Sequence, residues 1–387
     1  MCKCMCPLKS SENKSNISFR PCYESNPILA VQLAKIMRNG FFFTILGAFS
    51  LYFLSCSTLS VPINYLQPAL INIPTSVQSI VVVDHSAPKN TTWDIIEGGL
   101  TGEGIGQDAE GILNLIQGIK EIGAQSSRYT LTKETQRYGK GKLLENIPQA
   151  MDISLIRNIG SKHGADAVLA IDKFDSDFIT TDAELKTKKD PEDTTKVIRT
   201  YEVEGIASVV AYIRLYEVKT GTILDEIKLN DQFTYRASGS TVQEAMLQLM
   251  RKQDAVNDIS YQTGLIYGRR IAPYAYTVNR TIYRRPKDTY LERGARKAEV
   301  ADWKGAIVDW QVATKSIAKD KVKARAAYNI AVAYEVLGDL QNAQEWAQVA
   351  YVTYGMNQAK AYYDQLARRA LQQEQLDMQM EETPSKR

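Results

Sequence analysis

The middle of the chain alternates between short apolar runs and amphipathic stretches. Ser79–Ser86 (SIVVVDHS) is rich in β-branched residues, which predicts a buried strand that ends in a loop. In Ile112–Ile122 the apolar residues recur every three or four positions, which predicts a helix with one buried face. Arg128–Thr132 reads as a short strand, and Ser154–His163 as a helix that ends at Gly164, a residue suited to a left-handed cap.

A long hairpin is the second feature of this region. Ala165–Phe174 is predicted as a strand, and the charged segment Asp175–Lys196 as a surface loop or hairpin tip. Val203–Val218 is apolar on both faces, as in a central strand, and Ile223–Tyr235 mostly alternates apolar and polar residues. A helix from about Thr241 to Arg270 closes the unit. We therefore predict a mixed α/β sheet domain over residues 79–283.

Small residues at helical spacing dominate the C-terminal part. Ala327–Ala350 (AYNIAVAYEVLGDLQNAQEWAQVA) resembles a tetratricopeptide repeat, and a degenerate copy runs from Gly294 to Ala313. The resemblance implies antiparallel helix pairs over residues 288–374, with Gln358–Gln373 as a capping helix. The polar tail, residues 375–387, is predicted to be disordered. The expected fold class is α+β, a mixed sheet domain with a long hairpin, followed by an all-α repeat region.

The order of elements in the sheet domain is similar to that of small envelope-lipoprotein domains. These include the curli-secretion lipoprotein and the lipoprotein activators of penicillin-binding proteins. The similarity lies in SIVVVD, HGADAVLAID and AYIRLYEVKTGTILDE (Ala211–Glu226). No functional residue is carried over from either family.

An apolar run near the N-terminus indicates that the protein is exported. Gly40–Leu54 is uncharged and has the length of a signal-peptide core. The run ends in Phe53-Leu54-Ser55-Cys56, which resembles the bacterial lipobox, although the family usually has Leu where Phe53 stands and a small residue where Leu54 stands. The resemblance implies cleavage before Cys56 and lipidation of Cys56. An ordinary signal peptide or a single-span anchor is the alternative.

Charge and cysteine placement agree with removal of the leader. All five cysteines occur by residue 56, and residues 1–55 carry more positive charge than the formal net charge of +3, which leaves the remainder at −1. Met37 is a candidate true start, so residues 1–55 are assigned to leader and signal peptide, and 56–78 to a tether or linker. The near-neutral remainder predicts no nucleic-acid partner.

Motifs that carry chemistry are scarce. Gly98–Gly111 is glycine-rich, but its spacing departs from phosphate-binding loops and Asp108 would repel a phosphate. His163 is expected at a helix end, and His85 lacks a partner at metal-binding spacing. We therefore expect no cofactor, no metal site and no catalytic residue, with Asp84 and His85 as the alternative location of an enzyme or ligand site.

These observations predict a non-catalytic lipoprotein that binds protein partners through its repeats, anchored by the lipid on Cys56. Candidate partner-binding residues are Trp303, Trp310, Tyr334 and Trp346, unless they pack between helices. Ser57 resembles the sorting signal for the outer membrane, facing the periplasm. Two alternatives stay open: an oligomeric assembly or secretion component of the envelope, and the enzyme or ligand-binding protein.

Overall fold

The structure is a computed structural model that describes residues 58–86, 107–139, 148–193, 195–285 and 287–380. The apolar run Gly40–Leu54, Met37, Cys56 and Ser57 lie outside these ranges, as does most of Gly98–Gly111. No helix within the described ranges is long and apolar enough to cross a membrane.

The described residues form eight strands and nine helices. The strands are β1 (Thr58–Gln67), β2 (Ser79–Asp84), β3 (Thr130–Lys133), β4 (Ala167–Thr180), β5 (Glu184–Lys189), β6 (Val197–Glu217), β7 (Ile223–Gly239) and β8 (Tyr274–Tyr283). The helices are α1 (Gln107–Gly123), α2 (Ile153–His163), α3 (Val242–Gln248), α4 (Lys252–Ile271), α5 (Thr289–Glu299), α6 (Trp303–Lys315), α7 (Asp320–Val336), α8 (Leu340–Val352) and α9 (Asn357–Met380). The predicted α+β class is confirmed.

Six strands form one mixed sheet. Parallel pairing joins β2 to β3 and to β4, and antiparallel pairing joins β4, β5 and β7 to β6. The predicted long hairpin is confirmed, since β6 and β7 pair from Tyr201–Gly239 to Tyr216–Ile223. Most of the charged segment 175–196 is strand, because β4 runs on to Thr180 and β5 continues along the same side of β6; the tip of this second hairpin lies between Lys189 and Val197.

Helices cover both faces of the sheet. One face packs on α1 and α4, and the other, near β2, packs on α2. Helices α1 and α4 approach very closely, because a Cβ atom on Gly118 would lie 2.3 Å from the Tyr261 carbonyl oxygen, and one on Gly264 would lie 2.1 Å from that of Leu115. Any larger residue at either glycine would force the two helices apart.

Two predicted helix ends have different outcomes. Gly164 caps α2 with a φ of 58°, so the left-handed cap is confirmed. The single helix expected from Thr241 to Arg270 is wrong, because the backbone becomes extended at Leu249, between α3 and α4. The break lets the Leu249 side chain pack against the strands below, close to Gly205. Tertiary packing overrides helical periodicity here.

The C-terminal region consists of five consecutive helices, α5 to α9, each packed on the next. Asp288, Asp302 and Asp339 cap the first turns of α5, α6 and α8 by accepting backbone N–H hydrogen bonds. The helix expected at 358–373 extends to Met380, so the disorder predicted from residue 375 is wrong for 375–380. Gln379 there accepts a hydrogen bond from the Ala69 N–H at 2.9 Å and donates one to its carbonyl at 3.1 Å.

The assignment of residues 56–78 to a linker is wrong where the structure describes them as a strand. β1 pairs antiparallel with β8 along its whole length, from Thr58–Tyr283 to Gln67–Tyr274. Pro62 obscures the strand signal, but an isolated two-stranded ribbon tolerates proline because both strands have a free edge. The ribbon buries Val61, Ile63 and Ile282 against the helical region, on the side formed by α5, α7 and α9.

Glu335 holds this ribbon in place. The Arg280 guanidinium on β8 donates to both carboxylate oxygens, at 2.7 and 3.0 Å, while Arg369 and Tyr362 on α9 each donate at 2.6 Å. The Glu335 side chain is completely buried. Burial alone would raise its pKa, but the Arg280 guanidinium, the Tyr362 hydroxyl and the Arg369 guanidinium outweigh burial and hold the pKa below its ordinary value.

Glu335→Ala is expected to lower the free energy of unfolding by about 3–5 kcal/mol, because it leaves the guanidiniums of Arg280 and Arg369 buried without their partner. Lys360→Ala removes an exposed ion pair with Asp364 and is the control, with a loss below about 1 kcal/mol. Urea denaturation of both variants measures the difference. Equal losses would contradict the importance of the Glu335 cluster.

The same carboxylate predicts a pH dependence. Since the folded pKa is below the unfolded value of 4.5, its stabilisation is fully present above that pH and is lost as pH falls through the folded pKa. The stability difference between the wild type and Glu335→Ala should therefore shrink in acid.

Candidate functional site

A buried polar network lies where β2 ends, beside the register shift of β4 at Asp172. His85 directly follows β2, and its Nδ1 is 2.7 Å from Oδ1 of Asp172 on β4. The Asp172 side chain has no exposed surface, and its other oxygen accepts a hydrogen bond from Arg214 of β6 at 2.9 Å. Three neighbouring strands therefore each contribute one member of an imidazole–carboxylate–guanidinium chain.

Arg214 extends this chain towards β7. Its Nε donates to Glu226 at 2.8 Å, its Nη1 donates to the Pro148 carbonyl at 3.0 Å, and it lies over the Tyr212 ring. The Tyr212 hydroxyl also donates to Glu226, and these two donors lower the Glu226 pKa. Burial acts to lower the Arg214 pKa, but the carboxylates outweigh it, so Arg214 stays charged. We call the five side chains of His85, Asp172, Arg214, Tyr212 and Glu226 the His85–Asp172 network.

Asp84 belongs to a separate cluster. Side chains alternate between the two faces of a strand, so Asp84 is on the same face as Val82, which lies in the core between the sheet and α1. His85 is on the same face as Val83, on the α2 side. Asp84 is 2.8 Å from Nε of Arg137 and accepts hydrogen bonds from the N–H and hydroxyl of Ser86. Asp84 and His85 therefore belong to different clusters, and the alternative of an enzyme or ligand site near them stays a prediction.

The second histidine has a similar partner. His163, at the end of α2 as predicted, lies 2.9 Å from the buried Glu134 carboxylate, which also accepts from Lys162 and from Tyr138 at 3.0 Å. The Gln136 backbone N–H and then His163 and Lys162 hold the Glu134 pKa far below its ordinary value. Both histidines thus contact a buried carboxylate that sequence spacing did not indicate.

The chemistry available to the His85–Asp172 network is limited. In the tautomer that donates Nδ1–H to Asp172, the imidazole presents Nε2 as an acceptor. The neighbouring Ser86 hydroxyl is bound to Asp84 and Arg137, so it is not poised as a nucleophile. Within the described ranges, no three His, Cys, Asp or Glu side chains are grouped to hold a metal ion. The arrangement is that of a hydrogen-bonded element of the fold that orients one imidazole.

The predicted partner-binding aromatic residues lie mainly within the helix packing. Trp310 has no exposed surface and donates to the Leu291 carbonyl at 3.2 Å, so the structure contradicts its role in a binding surface. A Cβ on Gly294 would lie 2.3 Å from the Trp310 ring nitrogen, which explains why glycine stands opposite this tryptophan. Trp303, Tyr334 and Trp346 are partly buried against the same core, and their role in binding stays a prediction. The β1–β8 ribbon packs against the side of the helical region that α5, α7 and α9 form.

The outer edge of β7 is a feature that sequence reasoning did not identify. No strand among the described residues pairs with this edge, which runs for 17 residues. Thr181 N–H donates to the Glu204 carbonyl at 2.9 Å, so the Glu204 backbone faces away from β7. Arg236, which pairs with Glu204, therefore has its own N–H and C=O directed away from β6, towards the outer edge of β7. The same holds for every second residue from Glu226 to Arg236, because the register is unbroken there. The edge therefore presents a row of free backbone donors and acceptors.

The fold and its clusters define a mixed-sheet domain joined to a helical region, without a recognisable catalytic centre in the described residues. The chain belongs to a family described as a domain of unknown function (DUF8603), whose model matches residues 77–283, more than half of the sequence. A second domain of unknown function (DUF6340) matches residues 292–368. Neither description refers to tetratricopeptide repeats, so that resemblance stays a prediction. No curated protein matches the sequence.

Similar solved structures include the PelC dodecamer from Paraburkholderia phytofirmans, at 10% identity, covering 55% of this chain and 99% of that one with a TM-score of 0.20. The lipoprotein GNA1162 from Neisseria meningitidis is 15% identical, with 49% and 98% covered and a TM-score of 0.17. The hypothetical protein CT253 from Chlamydia trachomatis is 9% identical, with 50% and 96% covered and a TM-score of 0.20. At these scores we draw no conclusion from the similarities beyond recording that they include a bacterial lipoprotein.

Asp172→Ala is expected to destabilise the protein by about 3–5 kcal/mol, because Arg214 would stay buried without its internal counter-charge. Glu226→Ala is the matched control, since Glu226 is partly exposed and Arg214 keeps Asp172; its expected cost is about 1 kcal/mol. Chemical denaturation of the two variants provides the measurement. A stable Asp172→Ala protein would show that the network does not support the fold.

Proposed function

We propose that this protein is a non-catalytic, lipid-anchored scaffold of the bacterial envelope that assembles with further copies of itself through the outer edge of β7. The observation that carries the proposal is the row of outward backbone groups along a 17-residue strand. Main-chain hydrogen bonding across such an edge supplies affinity without a deep pocket.

The β7 edge has few of the features by which proteins block strand addition. It contains no proline, and its centre, from Asn230 to Thr234, carries a single charged residue, Asp231. Phe233 is 54% exposed there and stacks edge-on against Tyr235. Glu226, Lys228 and Arg236 flank this stretch. A charged rim around a less charged centre suits a specific pairing rather than open aggregation.

The anchor is the second part of the proposal. It is supported by the apolar run Gly40–Leu54 and by Cys56, directly before the first described strand at Thr58. Lipidation of Cys56 and location at the outer membrane, facing the periplasm, are proposed on the lipobox and sorting resemblances. A site of enzyme or ligand chemistry at His85 is less well supported, because the adjacent Ser86 hydroxyl is already bound to Asp84 and Arg137.

Gln232→Pro is expected to abolish self-association. The Gln232 N–H points away from β6, so proline removes an outward donor while leaving the β6–β7 ladder intact. Gln232→Ala is the control and should associate like the wild type. Size-exclusion chromatography with light scattering on the detergent-purified full chain distinguishes the species. A monomeric wild type, or a Gln232→Pro protein that still associates, would contradict assembly through β7.

Cys56→Ser is expected to abolish incorporation of radiolabelled fatty acid and to release the protein from a lipid anchor, because the thioether forms at this sulfur. The wild type and the control variant Ser57→Ala, which changes the neighbouring residue, should both stay labelled. Acyl label on Cys56→Ser protein would refute lipidation at this residue.

A further inference from the structure

We infer that one end of the helical region, next to Thr58, lies against the surface of an anionic phospholipid membrane. This inference rests on the proposed anchor at Cys56. We call this end the basal face. It comprises Arg285, Lys287, Lys315, Ile317, Lys319, Lys321, Lys323 and Arg325.

The start of β1 fixes where the basal face begins. Thr58 pairs with Tyr283, whose backbone N–H and C=O both bind the buried side-chain amide of Asn329 on α7, each at 2.8 Å. One turn towards the start of α7, the Arg325 guanidinium lies 5.1 Å from the centre of the Tyr283 ring. The first residue of the ribbon is thus close to the N-terminal half of α7.

The other elements reach the same end. Lys321 lies one further turn along α7, about 6 Å beyond Arg325, and Lys319 precedes the helix. The Tyr283 hydroxyl donates to Gln358, at the start of α9, at 2.6 Å. The Tyr354 hydroxyl, just before α9, donates at 3.4 Å to the carbonyl of Thr314 near the end of α6. The loop from α6 to α7, with Ile317, therefore belongs to this end.

The composition of the basal face fits a lipid headgroup layer. Its lysines and arginines outnumber the acidic residues Asp288 and Asp320, and Asp288 is occupied in capping α5. Ile317 is fully exposed, at 105%, between Lys315 and Lys319. An apolar side chain that projects among lysines can enter the interface while the ammonium groups bind lipid phosphates.

The anchor would keep this surface at the bilayer. In a chain that matures at Cys56, only Ser57 separates the lipidated residue from Thr58, so covalent geometry limits the Cα separation from Cys56 to Thr58 to about 7 Å. Thr58 already belongs to β1, which is fixed on α7 and α9 through β8. A rigid ribbon, rather than a flexible tether, would then connect the lipid to the helical region.

The hairpin tip formed by β5 and the start of β6 provides an internal comparison. It carries Lys186, Lys188 and Lys189, but Glu184, Asp190 and Glu202 lie among them and its net charge is close to zero. Lys188 and Lys189 are exposed, as Lys319 and Lys321 are. A difference in acetylation rate between the two groups of lysines therefore reflects their position and surrounding charge rather than solvent exposure alone.

The test is lysine acetylation of the full-length chain, purified from membranes in detergent and reconstituted into vesicles. One set of vesicles contains phosphatidylglycerol and phosphatidylethanolamine, and the other contains phosphatidylcholine only. Mass spectrometry should show acetylation of Lys287, Lys319 and Lys321 slowed roughly threefold or more on the anionic vesicles, with Lys188 and Lys189 unchanged. The same spectra report whether Cys56 is acylated.

Paired variants separate charge from tethering. With Lys319→Gln, Lys321→Gln and Lys323→Gln combined, Lys287 should lose its protection, whereas the combined control Lys186→Gln, Lys188→Gln and Lys189→Gln should keep it. Circular dichroism checks the fold of both.

Acylated protein with equal rates on the two kinds of vesicle would overturn the basal-face inference and leave the anchor standing. An unmodified Cys56 would refute the anchor itself, and the inference with it.

Discussion

The carboxylate of Glu335 is the constraint on which the arrangement of this protein depends. It lies fully buried on α7 and binds side chains from β8 and α9, so three segments share one counter-charge. Removing such a group from water is unfavourable, and its position is tolerated because Arg280, Arg369 and Tyr362 all donate to it. The consequence is geometric: β8 can dock in one register only, and β1 follows by pairing with β8. The N-terminal strand, the sheet domain and the helical region therefore form one unit, Thr58–Arg387.

Periodicity was sufficient to predict the elements whose burial is local and regular. The isoleucine face of α1, the β6–β7 hairpin and the Gly164 cap follow from side-chain spacing that one segment carries by itself. β1 was missed because Pro62 interrupts its pattern and its partner lies more than 200 residues away, as the 213-residue separation between Asn64 and Thr277 illustrates. The helix predicted across Leu249 is interrupted there, because packing the Leu249 side chain on the strands is more favourable than continuing the helix.

The polar clusters were less predictable than the fold, for the same reason. His85 and Asp172 are 87 residues apart, and only the parallel pairing of β2 with β4 brings them together. Asp84, which is adjacent to His85 in sequence, proved to be separated from it by the strand itself. The aromatic residues of the helices were correctly located on helices, but sequence cannot show which side of them the ribbon covers. The β7 edge has no residue signature at all, since its outward groups belong to the backbone.

The pairing of β1 with β8 also sets an order of events during synthesis. β1 has no partner until β8 has been made, and α9 must be complete before the Glu335 cluster can close. Closing a loop of this length is slow relative to forming a local hairpin or helix. The ribbon is therefore expected to dock on the helical region late, after α7 and α9 have supplied Glu335, Tyr362 and Arg369.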